Sequence, residues 1–151
     1  MASIRSGIGE NMEDRYLFKA KRLDNGEWVI GNLIQNPFFK GVRSWISSEQ
    51  EDKTRLRSIS RTQALWNSIE VDSSTICQCT GLKDKNGNLI WENDIVKINN
   101  SKVNTVITFR DFEIICTIPN EKYYKHRLEY DTEYEVIGNK FDNPELLESE
   151  E

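Results

Sequence analysis

The chain has 151 residues, of which 37% are hydrophobic and 30% are charged, so it is long enough for one domain or for two very small units that share a core. No apolar run approaches the roughly 20 residues of a bilayer-spanning helix, which argues against a membrane protein. The net charge is −5, divided into +3 for residues 1–62 and −8 for residues 63–151. An acidic total argues against broad phosphate-backbone binding but leaves room for a local basic site.

The N-terminal segment and the cysteine count indicate the cellular compartment. Residues 1–11 lack the basic and then apolar layout of a signal peptide and predict a loose polar leader. Met12 stands just before the first patterned segment, so we expect it to be the true start, with an extension before it. Three cysteines, Cys77, Cys79 and Cys116, cannot all pair. This odd count without a secretory signal favours the reducing cytoplasm.

Two Asn-Gly pairs, Asn25-Gly26 and Asn86-Gly87, are the strongest local features. Both are flanked by segments rich in aromatic and branched residues. Since Asn-Gly supplies the two positive-φ positions of a type I′ turn, each pair predicts a β-hairpin whose strands are joined by a two-residue turn. The strands of these hairpins are predicted at 16–21, 27–34, 78–82 and 88–91.

The remaining pattern is also mainly β. Alternation and β-branching predict strands at 94–98, 103–109, 112–118 and 134–139. Asn143 followed by Pro144 predicts a short helical turn near the C-terminus, and residues 148–151 form an acidic tail. Residues 47–68 are the least β-like and predict a loop followed by a strand or a helical turn.

The segments that follow the two Asn-Gly pairs place apolar residues at matching positions. Asn32 aligns with Asn93, and Ile34 with Ile95. One interpretation is a duplication that gives two related β units, with halves at 12–62 and 63–147. The other is that two hairpins in one protein resemble each other by chance. In both cases the β domain spans residues 12–147.

Five segments resemble, in their order and spacing, the sequence pattern of a known protein family: 13–22, 71–87, 90–96, 134–139 and 141–147. Together they resemble the YopX family of bacteriophage and prophage proteins over nearly the whole chain from Met12. The family usually has Gly where this chain has Asn93, a residue that also tolerates the left-handed conformation. The resemblance implies an SH3-like barrel or roll and a phage or prophage origin. It implies no established activity and no catalytic residue.

Residue types that often carry catalysis occur here without the partners that catalysis needs. His126, the single histidine, is expected in an exposed loop or on an edge strand. Cys77 and Cys79 have same-face spacing, but no second Cys or His pair completes a tetrahedral metal site, so buried structural thiols are predicted. The segment from Asp84 to Gly87 lacks the glutamate of a calcium loop and predicts a turn. We therefore expect no enzyme, no cofactor and no metal site.

Tryptophan and arginine are favoured anchors at interfaces, and both occur in or beside the polar, basic stretch of residues 53–61. Trp28 and Trp91 follow the two turns and are predicted to be core or cross-strand residues. Trp45 and Trp66 flank the stretch, where they lie either on a partner-facing surface or over the core beneath a loop. The candidate partner-binding residues are Trp45, Lys53, Arg55, Arg57, Arg61 and Trp66.

Three functions are compatible with these observations. The favoured hypothesis is a non-enzymatic module that binds a host or phage protein, and that forms a homo-oligomer because exposed sheet edges invite self-association. The alternative is a nucleic-acid-binding barrel, for single-stranded or structured nucleic acid, that uses the basic residues of 53–61. An enzyme with a dispersed acidic site is the least favoured.

Overall fold

The computed structural model describes residue 14 and residues 16–36, 43–47, 68–111, 113–119, 121, 124–129 and 131–148. These residues are mainly β, as predicted, and they contain no α-helix. The strands are β1 Phe18–Lys21, β2 Trp28–Asn36, β3 Arg43–Ser47, β4 Ser68–Val71, β5 Cys77–Lys83, β6 Leu89–Trp91, β7 Asp94–Ile98, β8 Thr105–Arg110, β9 Glu113–Thr117, β10 His126–Arg127 and β11 Tyr134–Asn139. Two 3₁₀ turns span Ser73–Thr75 and Pro144–Leu147.

The chain divides into two compact units. The N-terminal unit is Tyr16–Gln78, and the C-terminal unit is Cys79–Glu151 together with Met1–Arg15. Strand β5 begins in the first unit and ends in the second. The duplication interpretation placed the boundary between its two halves at residues 62 and 63. That position lies outside the described residues.

The N-terminal unit is a rolled antiparallel sheet in the order β4-β3-β2-β1, and β5 and β6 continue this sheet because the start of β5 pairs with β1. Its core is Ala20, Ile46 and Val71, because alternate residues of each strand point to the same face. The end of β1 bonds back to β4 through a bridge between Arg22 and Val71. The N–H of residue 72 donates to the carbonyl of residue 21 at 2.8 Å beside that bridge. The described ladders close no barrel, but this return contact rolls the sheet, consistent with the barrel or roll that the resemblance implies.

The C-terminal unit is an antiparallel sheet in the order β10-β9-β8-β7-β11, joined by the β5–β6 hairpin. One face of the sheet carries a core cluster, to which the hairpin contributes Ile90. Val96 and the directly paired Ile107 and Cys116 also belong to this cluster. Val136, which pairs with Val96, packs against it. The core of this unit therefore forms where the hairpin and the sheet contribute their apolar faces.

Both Asn-Gly segments form hairpins, but the predicted type I′ turns are wrong. Only the glycines have positive φ, 73° at Gly26 and 84° at Gly87, whereas a type I′ turn needs positive φ at the asparagine as well. Residues 23–26 form a longer loop in the first hairpin and residues 85–87 in the second. Because these loops are longer than two residues, the glycine alone takes the left-handed conformation.

Positive φ on two successive residues occurs instead at Asn99 and Asn100, with φ of 47° and 57°. The N–H of Ser101 donates to the carbonyl of Ile98 at 2.8 Å across them. Asparagine populates this region because its short polar side chain bonds locally. Asn93 has φ 67°, so the left-handed turn expected at that position is confirmed.

Three strands and one cap differ from the predictions. Strands β3, β4 and β10 were not predicted, since each is short and lies beside polar sequence. The C-terminal helical turn is confirmed as a 3₁₀ turn that begins at Pro144. Asn143 occupies the cap position, but its side chain accepts the N–H of Asn139 at 3.3 Å rather than one from the turn.

Candidate interaction surface

Strand register assigns every residue of the N-terminal sheet to one of two faces. Directly opposite residues share a face, so the pairs Lys21–Trp28 and Ile34–Trp45 lie opposite the core that contains Ala20. We call this surface the Trp45 face. Its described residues are Lys19, Lys21, Trp28, Ile30, Asn32, Ile34, Asn36, Arg43, Trp45, Ser47, Ser68, Glu70 and the buried Cys77, which pairs with Lys19.

Trp28 is a cross-strand residue, as predicted. The ammonium groups of Lys19 and Lys21 lie 5.1 Å and 5.5 Å from the centroid of its ring. Ammonium groups at this distance are attracted to the negative face of an indole. Ile30, directly opposite Lys19, is 48% exposed, so apolar and cationic groups are interleaved on this part of the face.

Trp45 is half-buried and lies between Ile34 on β2 and Glu70 on β4. Arg43 approaches Glu70 at 3.7 Å, and both side chains are well exposed. An exposed ion pair of this length contributes little to stability. Trp45 is therefore a partly buried aromatic residue on the face opposite the core, beside an exposed ion pair.

Of the six candidate partner-binding residues, the structure describes only Trp45. Lys53, Arg55, Arg57, Arg61 and Trp66 belong to the segment 48–67, which lies outside the described residues. Lys19, Lys21 and Ile30 were not predicted from the sequence as residues of this surface. The hairpin register could have identified them, because Lys21 is opposite a tryptophan across the first turn.

A depression of about 430 Å³ lies where the first hairpin loop meets β4. The Arg22 guanidinium donates two hydrogen bonds to Asp24, at 2.8 Å and 2.6 Å. This bonding lowers the pKa of the Asp24 carboxyl and raises the pKa of Arg22. Leu23 is 60% exposed at the same place and enlarges the apolar surface beside the Trp45 face. The lining residues are Arg22, Leu23, Asp24, Ser68, Ile69 and Glu70.

The three cysteines are buried free thiols, as predicted. Burial raises the pKa of Cys116 to about 12. The thiolate is the nucleophilic form of cysteine, so this side chain is unreactive near neutral pH. Cys77 donates a hydrogen bond from its thiol to the carbonyl of Thr75 at 3.3 Å. These thiols pack as small apolar groups.

His126 lies on β10, the short edge strand of the second sheet, and the edge-strand prediction is confirmed. It pairs with the buried Cys116 on β9. Its Nε2 atom is buried and has no hydrogen-bond partner among the described residues. Within the described ranges, no group of three or more His, Cys, Asp or Glu residues is arranged to hold a metal ion.

Asp84 is 6% exposed, and the turn predicted for its segment is confirmed. One carboxylate oxygen accepts the N–H groups of Asn86 and Asn88, both at 2.9 Å. The other accepts the N–H of Val136 on β11 at 3.2 Å. Burial alone would raise the pKa of this carboxyl, but the backbone hydrogen bonds outweigh it, and the pKa is lowered. Asp84 therefore joins the second turn to β11 and has a structural role.

Comparison with known proteins identifies the family of this chain. The part of the chain that the structure describes has no helix long and apolar enough to cross a bilayer. A search of curated proteins finds no match. Residues 17–148 match the family described as YopX protein. The match covers most of the 151 residues, so the chain belongs to the YopX family.

Proposed function

We propose that this chain is a phage- or prophage-encoded accessory protein, a non-enzymatic module that binds a host or phage protein in the bacterial cytoplasm. The observation that carries the proposal is the Trp45 face. It places Trp28, Trp45 and the 48% exposed Ile30 on one side of a sheet whose other side is the core. Tryptophan and arginine are enriched in binding hot spots, and this face carries Trp28, Trp45 and Arg43.

The sequence beyond β3 extends this proposal. Segment 48–67 follows β3 directly in the sequence and contains the four cations of the candidate set and Trp66. These residue types are favoured anchors at interfaces, and they are near Trp45 in the sequence. We propose that the Trp45 face and this segment together form the binding surface.

Nucleic-acid binding is the competing function, and one observation favours it. Lys19 and Lys21 lie against the Trp28 ring, and bases stack on aromatic rings while lysines neutralise phosphates. The total charge of −5 opposes it, since broad phosphate binding requires an excess of cations. We therefore rank protein binding first.

Self-association is a second part of the proposal. Exposed sheet edges can pair with another chain, and β10 lies at one edge of the second sheet, although its two residues leave only a short stretch of backbone for such pairing. Light scattering over a range of concentrations tests this directly. A concentration-dependent rise in mass supports a homo-oligomer, and a strict monomer removes it without affecting the partner-binding proposal.

Affinity capture with matched variants tests the partner-binding surface. We would compare Ile30→Asp with Val103→Asp, because the two aliphatic side chains are 48% and 46% exposed and lie in different units. Tagged proteins are incubated with lysate of phage-infected cells, and retained proteins are identified by mass spectrometry. The proposal predicts a protein retained by wild type and Val103→Asp and lost from Ile30→Asp, with unchanged thermal unfolding in all three.

Two outcomes would overturn the proposal. Equal retention by Ile30→Asp and Val103→Asp would show that the Trp45 face is not the binding surface. Salt-dependent binding of oligonucleotides that is lost in the double variant Arg55→Glu, Arg57→Glu would establish the nucleic-acid alternative instead.

A further inference from the structure

The two Asn-Gly pairs share a sequence but differ in the surroundings of the asparagine side chain. The Asn25 amide is held on both sides by Glu27: its Oδ1 accepts the Glu27 N–H at 2.9 Å, and its Nδ2 donates to the Glu27 carboxylate at 2.8 Å. Asn86 is exposed, and its side-chain amide makes no hydrogen bond to any described residue. The first amide is therefore restrained and the second is free to rotate.

We propose that Asn86 is a site of spontaneous self-modification, at which the backbone nitrogen of Gly87 attacks the side-chain carbonyl carbon of Asn86. The new N–C bond closes a five-membered succinimide, the nitrogen loses its proton, and the side-chain amide leaves as ammonia. Water then opens the ring at either carbonyl. The product at position 86 is an aspartyl residue or an isoaspartyl residue, in which the chain continues through the side-chain carboxyl.

The glycine after each asparagine makes the attack sterically accessible. Gly87 has no Cβ, and no atom lies within 4 Å of where one would be, so its nitrogen is open to the neighbouring side chain. The N–H of Gly87 donates to Asp84 O at 3.0 Å, and that of Gly26 donates to Arg22 O at 3.0 Å. Since both nucleophilic nitrogens are engaged alike, the difference between the sites lies in the asparagine side chains.

The modification would act on the turn that anchors the C-terminal unit. It adds a negative charge two residues after the buried Asp84 carboxylate. An isoaspartyl product also lengthens the backbone by one carbon, between two N–H groups, those of Asn86 and Asn88, that Asp84 binds. We expect the modified protein to have a weaker β5–β6 hairpin, with slow loss of stability on storage.

Incubation of the full chain at mildly alkaline pH, followed by tryptic digestion and mass spectrometry, measures conversion at each site. Synthetic peptides spanning 21–29 and 82–90 give the intrinsic rate of each sequence. We expect the ratio of the rate in the protein to the rate in the peptide to be about tenfold higher at Asn86 than at Asn25, a difference of about 1.4 kcal/mol in activation free energy.

Two variants separate the causes. Glu27→Ala removes the carboxylate that holds Asn25 and is expected to raise the rate at that site, leaving Asn86 unchanged. Gly87→Ala places a methyl group beside the attacking nitrogen and is expected to slow Asn86 alone. Equal ratios at the two sites, a lower ratio at Asn86, or no conversion of Asn86 while its peptide converts would each overturn the proposal.

Discussion

The two hairpins are closed by loops with the same Asn-Gly pair, yet their carboxylates have different environments. In the first loop Asp24 bonds the Arg22 guanidinium at the surface, and Glu27 bonds Asn25. In the second loop Asp84 is buried and accepts three backbone N–H groups, one of them from β11. The same residue type near a similar turn is thus a surface substituent in one unit and an anchor in the other.

In each unit, one strand accepts a backbone hydrogen bond from the loop that contains the Asn-Gly pair. The N–H of Leu23 donates to the Glu70 carbonyl on β4 at 3.2 Å, and the N–H of Lys85 donates to the Tyr134 carbonyl on β11 at 2.9 Å. Only the second contact is reinforced by a buried carboxylate. The second turn is therefore held to its sheet by a buried carboxylate, whereas the first turn is held by backbone pairing and has its carboxylates at the surface.

Replacing the anchor should have the largest effect on stability. Asp84→Asn keeps the shape of the side chain but removes the charge and turns one acceptor into a donor that faces backbone N–H groups. We expect the free energy of unfolding to fall by about 3 kcal/mol, since buried donors lose a charged acceptor. Urea unfolding measures the change. A loss below about 1 kcal/mol would remove Asp84 from its anchoring role.

The pH dependence of stability should report the same carboxyl. Its pKa is lowered in the folded protein, so its contribution is complete above the unfolded pKa of about 3.9 and is lost as the pH falls. We expect the unfolding free energy of wild type to decline more steeply below about pH 4 than that of Asp84→Asn. Parallel curves for the two proteins would contradict this assignment.

The turn glycines should have equal, intermediate effects. Gly26 and Gly87 both have positive φ, and a Cβ at either position meets no atom within 4 Å, so strain alone opposes a side chain. We expect Gly26→Ala and Gly87→Ala each to cost about 1 kcal/mol, measured by urea unfolding. A much larger loss of stability in Gly87→Ala than in Gly26→Ala would mean that the second loop is also tightly packed.

The surface ion pair should have the smallest effect. Asp24→Asn removes the charge that bonds Arg22, but both side chains are at the surface, where such pairs are screened by water. We expect the urea concentration at the midpoint of unfolding to equal that of the wild-type protein within experimental error. This variant is the matched control for Asp84→Asn, and a comparable loss at both positions would abolish the contrast between the two turns.

Much of the fold could be predicted from periodicity and turn residues. The pattern gave β7 and β11 their observed bounds and placed Pro144 at the start of the C-terminal turn. Strands β3 and β4 were missed because they are short and contain few apolar residues, so their alternation is weak in the sequence. The turn type was missed because loop length depends on which flanking residues pair, a property of register rather than of the Asn-Gly pair.

The sequence selected one described residue of the proposed surface. Trp45 was selected because it flanks a basic stretch, and the register places it on the face opposite the core. Lys19 and Ile30, which lie on the same face further along the first hairpin, could be grouped with it only once the strands were paired. The anchoring role of Asp84 was also missed, since its bond to Val136 joins residues that are 52 positions apart.

Amide hydrogen exchange tests the contrast between the two turns most directly. The account predicts that the N–H groups of Lys85 and Val136 exchange much more slowly than the N–H of Leu23, and that Asp84→Asn accelerates Val136 while Leu23 keeps its rate. Equal protection of Leu23 and Lys85 in the wild type, or an unchanged rate at Val136 in the variant, would contradict the claim that the buried carboxylate holds the second turn to its sheet.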